Sequence, residues 1–278
     1  MSTVGCSSIP RVRRVTLSIP FPSTFCPEGR GRRPVAVSEV PPAILLEGVE
    51  RGRGAGGEVF RLVIERLAIG DGERIALIGP SGCGKSTCLD LLAMTLKPTR
   101  AATFRVHVKG AGETDVAALW ARGARAELTS MRARHCGIVL QTGGLLPFLS
   151  IEENVLIGRR LLGQDIPGPV PDLLRFLGIA HLARRKPAAV SLGERQRAAV
   201  ARALAHGPRI VLADEPTASL DPANASKVME LFVHLAAELA VTLIVVSHDR
   251  AAVERMRLRT IACVVDGATT RIRDEARP

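Results

Sequence analysis

The sequence predicts an α/β fold built on a mainly parallel sheet. Short apolar, β-branched runs at 74–79, 210–213 and 241–246 alternate with longer stretches of helical character, and strands separated by helices pair in parallel with both faces covered. The first of these runs also ends in a glycine-rich turn that opens directly into a helix, the strand–loop–helix unit that cradles phosphate groups. At 278 residues the chain is long enough for one or two domains with a core that needs no disulfide or metal. No internal repeat is visible, so one such unit is expected.

In chain order, residues 1–42 carry seven prolines and six arginines with no sustained period of 2 or 3.6, and read as a flexible basic tail. Their scarcity of acids and their Ser/Thr content also resemble a transit peptide, whereas 15–20 is too short and polar for a secretory signal. From Ala43 the texture changes. Phe60, Leu62 and Ile64 alternate with polar residues as in a half-buried strand, 74–79 is an apolar strand closed by glycine, and 86–94 reads as a helix. Helices over 195–206 and 225–239 precede the apolar strands 210–213 and 241–246 in turn. Residues 43–270 are thus expected to form the folded domain and 271–278 a short C-terminal tail.

The segment Gly79-Pro80-Ser81-Gly82-Cys83-Gly84-Lys85-Ser86-Thr87 fits GxxxxGK[ST] between a strand and a helix. Glycines allow the backbone N–H groups to wrap phosphate oxygens, and the helix N-terminus adds its dipole. Lys85 is expected on the β- and γ-phosphates and Ser86 on Mg²⁺. Asp214 and Glu215 directly follow the apolar run 210–213. A strand end beside the phosphate loop is where an Asp can hold Mg²⁺ through water and a neighbouring Glu can polarise an attacking water.

With these motifs the chain resembles the nucleotide-binding subunits of ATP-binding cassette (ABC) proteins over residues 43 to 270. Gln141 matches the glutamine that senses Mg²⁺ and the nucleophilic water, Ser191 and Gly193 match the LSGGQ signature, Asp221 lies in the D-loop match Ser219-Leu220-Asp221, and His248 matches the switch histidine. The resemblance implies a cassette with a mainly parallel core sheet, an antiparallel β subdomain and an inserted helical subdomain at about 142–200. It also implies an ATPase that uses ATP and Mg²⁺, with Ser86, Gln141 and Asp214 on the metal and Glu215, His248 and Gln141 catalytic. Two cassettes close head to tail, so that Ser191 and Gly193 act on the nucleotide held by the other copy. Taken alone, Ser191 could equally be an N-cap, since Glu194 stands at the capping-box position.

Two departures stand out. Leu192 replaces the first signature glycine, which is expected to reduce activity rather than abolish it. With no tyrosine in the chain, alignment puts Arg53 at the position of the adenine-stacking aromatic, and Phe60 is its rival.

Composition bounds the partners. The chain has 38 basic and 27 acidic side chains, a net charge of +11, but only 3% aromatics. Single-stranded nucleic-acid grooves interleave basic residues with stacking aromatics, and these aromatics are scattered. Residues 1–42 hold six of the arginines and two glutamates, leaving 32 basic and 25 acidic side chains on the rest. No specific nucleic-acid partner is expected. The six cysteines include no CxxC pair, which fits a reducing compartment without a zinc site. The apolar run 239–246 falls far short of the roughly 20 residues that span a bilayer. The spacing from Lys85 to Asp214 has no room for long coiled coils. The resemblance therefore implies the ATP-hydrolysing subunit of a transport complex, cytoplasmic and held on the inner face of the membrane by separate transmembrane permease subunits. The run 145–154 and Glu194 look like the group of lipoprotein-releasing, macrolide-exporting and FtsE-like division ATPases. The alternative is a non-transport cassette that regulates a membrane-associated or division complex.

Overall fold

A computed structural model describes residues 41–53 and 60–274, with the Arg53 side chain outside the described set. The basic segment 1–42 therefore lies, but for its last two residues, outside the described residues.

The apolar runs become strands because alternate or consecutive residues can be buried against helices on the sheet faces. The elements in chain order are β1 (Ile44–Arg53), β2 (Phe60–Ile69), β3 (Arg74–Ile78), α1 (Lys85–Leu92), β4 (Thr103–Val108), β5 (Gly112–Asp115), α2 (Val116–Ala121), α3 (Arg125–His135) and β6 (Cys136–Val139). They continue with α4 (Ile151–Leu161), α5 (Val170–Phe176), α6 (Leu192–Leu204), β7 (Ile210–Asp214), α7 (Pro222–Glu238), β8 (Thr242–Val246), α8 (Arg250–Arg255), β9 (Arg259–Asp266) and β10 (Thr269–Asp274). All ten strands join one sheet in the order β5-β4-β1-β2-β10-β9-β3-β8-β7-β6. The half formed by β9, β3, β8, β7 and β6 is parallel throughout, whereas β1 pairs antiparallel with β2 and β4, and β4 with β5. The hairpin β9–β10 joins the halves, with β10 antiparallel to β9 and parallel to β2.

Burial follows this division. Every residue of β8 is buried, and β7 is buried up to the half-exposed Asp214. The antiparallel strands alternate, with Ile44, Leu46, Leu62, Ile64, Phe104 and Val106 in one core with α1 and α3. Each fully buried apolar side chain of this kind stabilises the fold by about 1.5–3 kcal/mol.

Caps set where helices begin and end. The helix expected over 86–94 stops after Leu92 because Met94 takes a left-handed backbone, φ +56°. The one expected from 195 starts at Leu192, since Ser191 and Glu194 form a capping box. The one expected from 225 starts at Pro222, with Asp221 accepting from the Asn224 amide and proline preset for the first turn. At the C-terminus the strand β10 runs on to Asp274, so the expected boundary at 270 falls inside the sheet, where pairing with β9 continues to Asp274↔Ile261. Residues 275–278 lie outside the described residues.

Packing between β6 and α6 is close. A Cβ added at Gly137 would stand 2.1 Å from the Ala203 carbonyl oxygen. A Gly137→Ala chain is expected to lose about 2–3 kcal/mol or more, read as a fall in melting temperature, because backbone rather than a flexible side chain blocks the methyl.

Among the described residues no helix is long and apolar enough to cross a membrane. Cys83, Cys88, Cys136 and Cys263 are free and buried, and burial pushes the Cys88 and Cys136 thiols up to about 12.

Candidate functional site

The parallel half of the sheet delivers its functional side chains at one end, the carboxyl ends of β3, β8, β7 and β6, which are neighbours in that order. Ligands bind at such ends in open α/β sheets because helix N-termini and loops converge there.

After β3 the chain turns through Gly79–Gly84 into α1. Gly84, the N-cap of α1, has φ +95°, and a Cβ there would stand 2.5 Å from the Phe60 ring. At Gly79 a Cβ would meet the Cys263 carbonyl oxygen at 2.8 Å and the Cys83 sulfur at 2.9 Å. Both positions require glycine for close approach, and together they fix the curl of the loop. Lys85 is only 5% exposed, and its Nζ donates to the carbonyls of Gly79 at 3.0 Å and Pro80 at 2.8 Å. The ammonium is thus held over the loop by its own backbone.

Ser86, on the first turn of α1, donates from Oγ to Asp214 Oδ1 at 3.3 Å. Burial raises the Asp214 carboxyl above its ordinary value, with Glu215 and Asp90 adding to the rise, while the Ser86 bond and Lys85 act against it. Carboxylates crowded in this way gain from a cation. One hydroxyl with one partly buried carboxylate is an oxygen donor set that suits Mg²⁺, which keeps several waters and phosphate ligands of its own. No cluster of three His, Cys, Asp or Glu able to hold a metal occurs among the described residues. Asp90 was not picked out from the sequence; its signal is the i+4 spacing from Ser86 on α1.

Glu215 directly follows β7 and takes a left-handed backbone, φ +44°, an uncommon state for a glutamate that functional sites hold at a cost of about 1–3 kcal/mol. Its N–H donates to the Val246 carbonyl at 3.2 Å, and β7 and β8 are in register with Asp214 opposite Val246. The two chain ends therefore leave the sheet side by side, and the Glu215 carboxylate pairs with His248 Nε2. Gln141 emerges exposed two residues after β6, whose Val139 lies opposite Ala213. The structure thus brings Lys85, Ser86, Asp214, Glu215, His248 and Gln141 to adjacent strand ends.

Ser191 and Gly193 belong to a different surface. They line, with Leu192, Arg197, Leu220 and Asp221, a concavity of about 290 Å³. Ser191 Oγ donates to Glu194 Oε2 at 2.7 Å and accepts from the Glu194 amide at 3.3 Å. The Ser191 hydroxyl bond, with a second from the Ser191 backbone N–H to the same oxygen at 2.7 Å, holds the Glu194 carboxyl below its ordinary value, so a negative charge stands at the start of α6. Asp221 caps α7, and its bonds from Asn224 likewise lower its carboxyl.

Of the rivals for an adenine ring, Arg53 ends β1 opposite Phe60, and its side chain lies outside the described residues. Phe60 lines a cavity of about 460 Å³ with Ser81, Gly82, Cys83, Val265 and Gly267. That places an aromatic edge directly beside the phosphate loop.

A family model described as ABC transporter matches residues 65–218. The chain is 41% identical over 193 residues to the lipoprotein-releasing system ATP-binding protein LolD of Legionella pneumophila (strain Lens), covering 68% of this chain and 81% of that one. It is 35% identical over 226 residues to the LolD protein of Ruegeria sp. (strain TM1040), covering 79% and 94%. Among solved structures, a dimeric post-hydrolysis state of the ATP-binding cassette MJ0796 bound to ADP and Pi matches with TM-score 0.68 and 31% identity, over 82% of this chain and 96% of that one. The cbiO1 protein from Clostridium perfringens, part of the ABC transporter complex cbiONQ, matches with TM-score 0.66 and 26% identity, over 83% and 87%.

Proposed function

The chain belongs to the ABC transporter family, and we propose that it is the ATP-hydrolysing subunit of a transport complex, of the lipoprotein-releasing type of cassette, that drives separate transmembrane subunits. The observation that carries this reading is the convergence of Lys85, Ser86, Asp214, Glu215 and His248 at neighbouring ends of the parallel strands.

Each residue has work that its surroundings allow. Lys85 exchanges its two loop carbonyls for β- and γ-phosphate oxygens of ATP, and the N–H groups of the loop and of α1 complete the cradle. Ser86 and Asp214 would hold Mg²⁺, which neutralises charge on the phosphate oxygens when bound. Glu215, fixed by its unusual backbone and by His248, accepts a proton from the water that attacks the γ-phosphate, and His248 stays in reach of the same phosphate. Phe60 supplies an apolar seat for the base, supported by its position beside the loop, with Arg53, its partner across β1 and β2, as the rival.

Turnover requires two cassettes. Ser191 and Gly193 of one copy face the nucleotide of the other, where the N–H groups of Leu192 and Gly193 meet anionic oxygens and the Ser191 hydroxyl turns to them from Glu194. The relevant test is phosphate release by the purified chain with ATP. The rate per chain is expected to climb with protein concentration and to vanish when Mg²⁺ is chelated; a rate per chain independent of concentration would refute dimer activation.

The signature face departs from its family in a way that can be measured. Leu192 is half-buried and lines the concavity beside Ser191 and Gly193, where its bulk would hold an opposite copy away. A Leu192→Gly chain is expected to turn over about 3- to 10-fold faster, about 1 kcal/mol of transition-state energy, with unchanged ATP affinity. An unchanged rate would show the leucine to be neutral.

A further inference from the structure

The turn that carries Gln141 is gripped by the same helix that begins at the signature. Gly143 and Gly144 both have left-handed backbones, φ +73° and +58°, and the turn presents its carbonyls to α6. Arg202 donates through Nη2 to the Gly143 oxygen at 2.8 Å and through Nη1 to the Gly144 oxygen at 2.6 Å. Gln196 donates from Nε2 to the Gln141 oxygen at 2.7 Å. Ala199 lies between them, its Cβ 3.7 Å from the place where a Gly143 side chain would begin. The spacing 196, 199, 202 makes this one stripe of the helix.

The grip carries a desolvation cost that packing alone would not require. Gln196 is 1% exposed, and burial draws the Arg202 guanidinium below its ordinary value. Ala198, Ala199, Val200, Ala201, Ala203 and Leu204 already give α6 an apolar buried face. A planar guanidinium fork can bridge two successive carbonyls where a lysine, a point charge, cannot. The other amide atom of Gln196, Oε1, is buried without a partner and lies 3.6 Å from the Gly143 Cβ position. A buried orphan acceptor calls for an explanation, and a small shift of the turn that offered it a backbone N–H would exchange one hydrogen bond for another.

We propose that Gln196 and Arg202 are positioning residues for the ATPase reaction: they set Gln141 by its backbone and tie its displacement to the helix that presents Ser191 and Gly193. This rests on the ATPase reading above.

The test uses the full chain with Arg202→Met, Arg202→Lys and Gln196→Met. Turnover at saturating ATP is expected to fall about tenfold in both methionine variants while KM for ATP moves less than about twofold. The Mg²⁺ concentration for half-maximal turnover should rise, since Gln141 is misplaced at the metal side, and Arg202→Lys should recover part of the loss. The double variant should be no worse than the poorer single one, because both act on one turn. Amide exchange over 141–146 without nucleotide should accelerate in the methionine variants, a readout independent of catalysis. Unchanged exchange, or a lower melting temperature with the Mg²⁺ dependence of the parent, overturns the proposal. A parent chain that hydrolyses no ATP, with exchange still accelerated in the variants, would instead remove the ATPase reading and leave the grip in place.

Discussion

A Glu215→Gln chain is expected to bind ATP as tightly as the parent and to lose turnover by about 10²–10⁴-fold, the range for removing a positioned general base. The amide keeps the size and the polar contact to His248, so the loss falls on proton acceptance and not on the fold. Because ATP then stays intact between the two cassettes, the variant should collect as a dimer with ATP and return to monomer with ADP, read by size-exclusion chromatography alongside phosphate release. Hydrolysis at the parental rate would remove Glu215 from the mechanism.

Lys85→Met is expected to act one step earlier. Hydrogen bonds from a charged donor contribute about 1.5–3 kcal/mol each, so losing even one phosphate contact weakens ATP binding by about 10- to 150-fold. The measurement is the rise in melting temperature on adding ATP, large in the parent and nearly absent in the variant. In the chain without nucleotide, Lys85 also satisfies the carbonyls of Gly79 and Pro80. A modest loss of stability should therefore accompany the lost binding. Lys85→Arg separates the two effects: it can satisfy the loop carbonyls but is too long and planar for the cradle. Binding that survived in both variants would mean that backbone N–H groups alone hold the phosphates.

How much of this was legible beforehand differs by element, and for physical reasons. The buried parallel strands announce themselves because burial on both faces demands unbroken apolar runs, as in 210–213 and 241–246. The phosphate loop is legible because glycine is required where a Cβ would strike Phe60 or Cys263. Ser191 and Glu194 are legible as a cap from their spacing alone. By contrast, β5 is Gly-Glu-Thr-Asp, without an apolar residue, and exists only through its register with β4. The left-handed backbone of Glu215 leaves no compositional trace, because neighbouring strands impose it. Nothing in the helical pattern over 195–206 marks Arg202 and Gln196; their partners, the carbonyls of Gly143, Gly144 and Gln141, are distant in the chain and meet them only in the fold.

The strand order has a consequence for how such a chain is made. β3, which carries the phosphate loop, lies between β8 and β9, and β2 receives β10 on its free side. During synthesis the loop is complete in sequence long before its supporting strands exist. Until Arg259 and the residues after it have left the ribosome, β3 is an apolar sheet edge, the kind of surface that recruits other chains. A chain halted before β9 carries every catalytic residue on β3, β8, β7 and β6 but leaves β3, and the phosphate loop that follows it, on the open edge of that half-sheet.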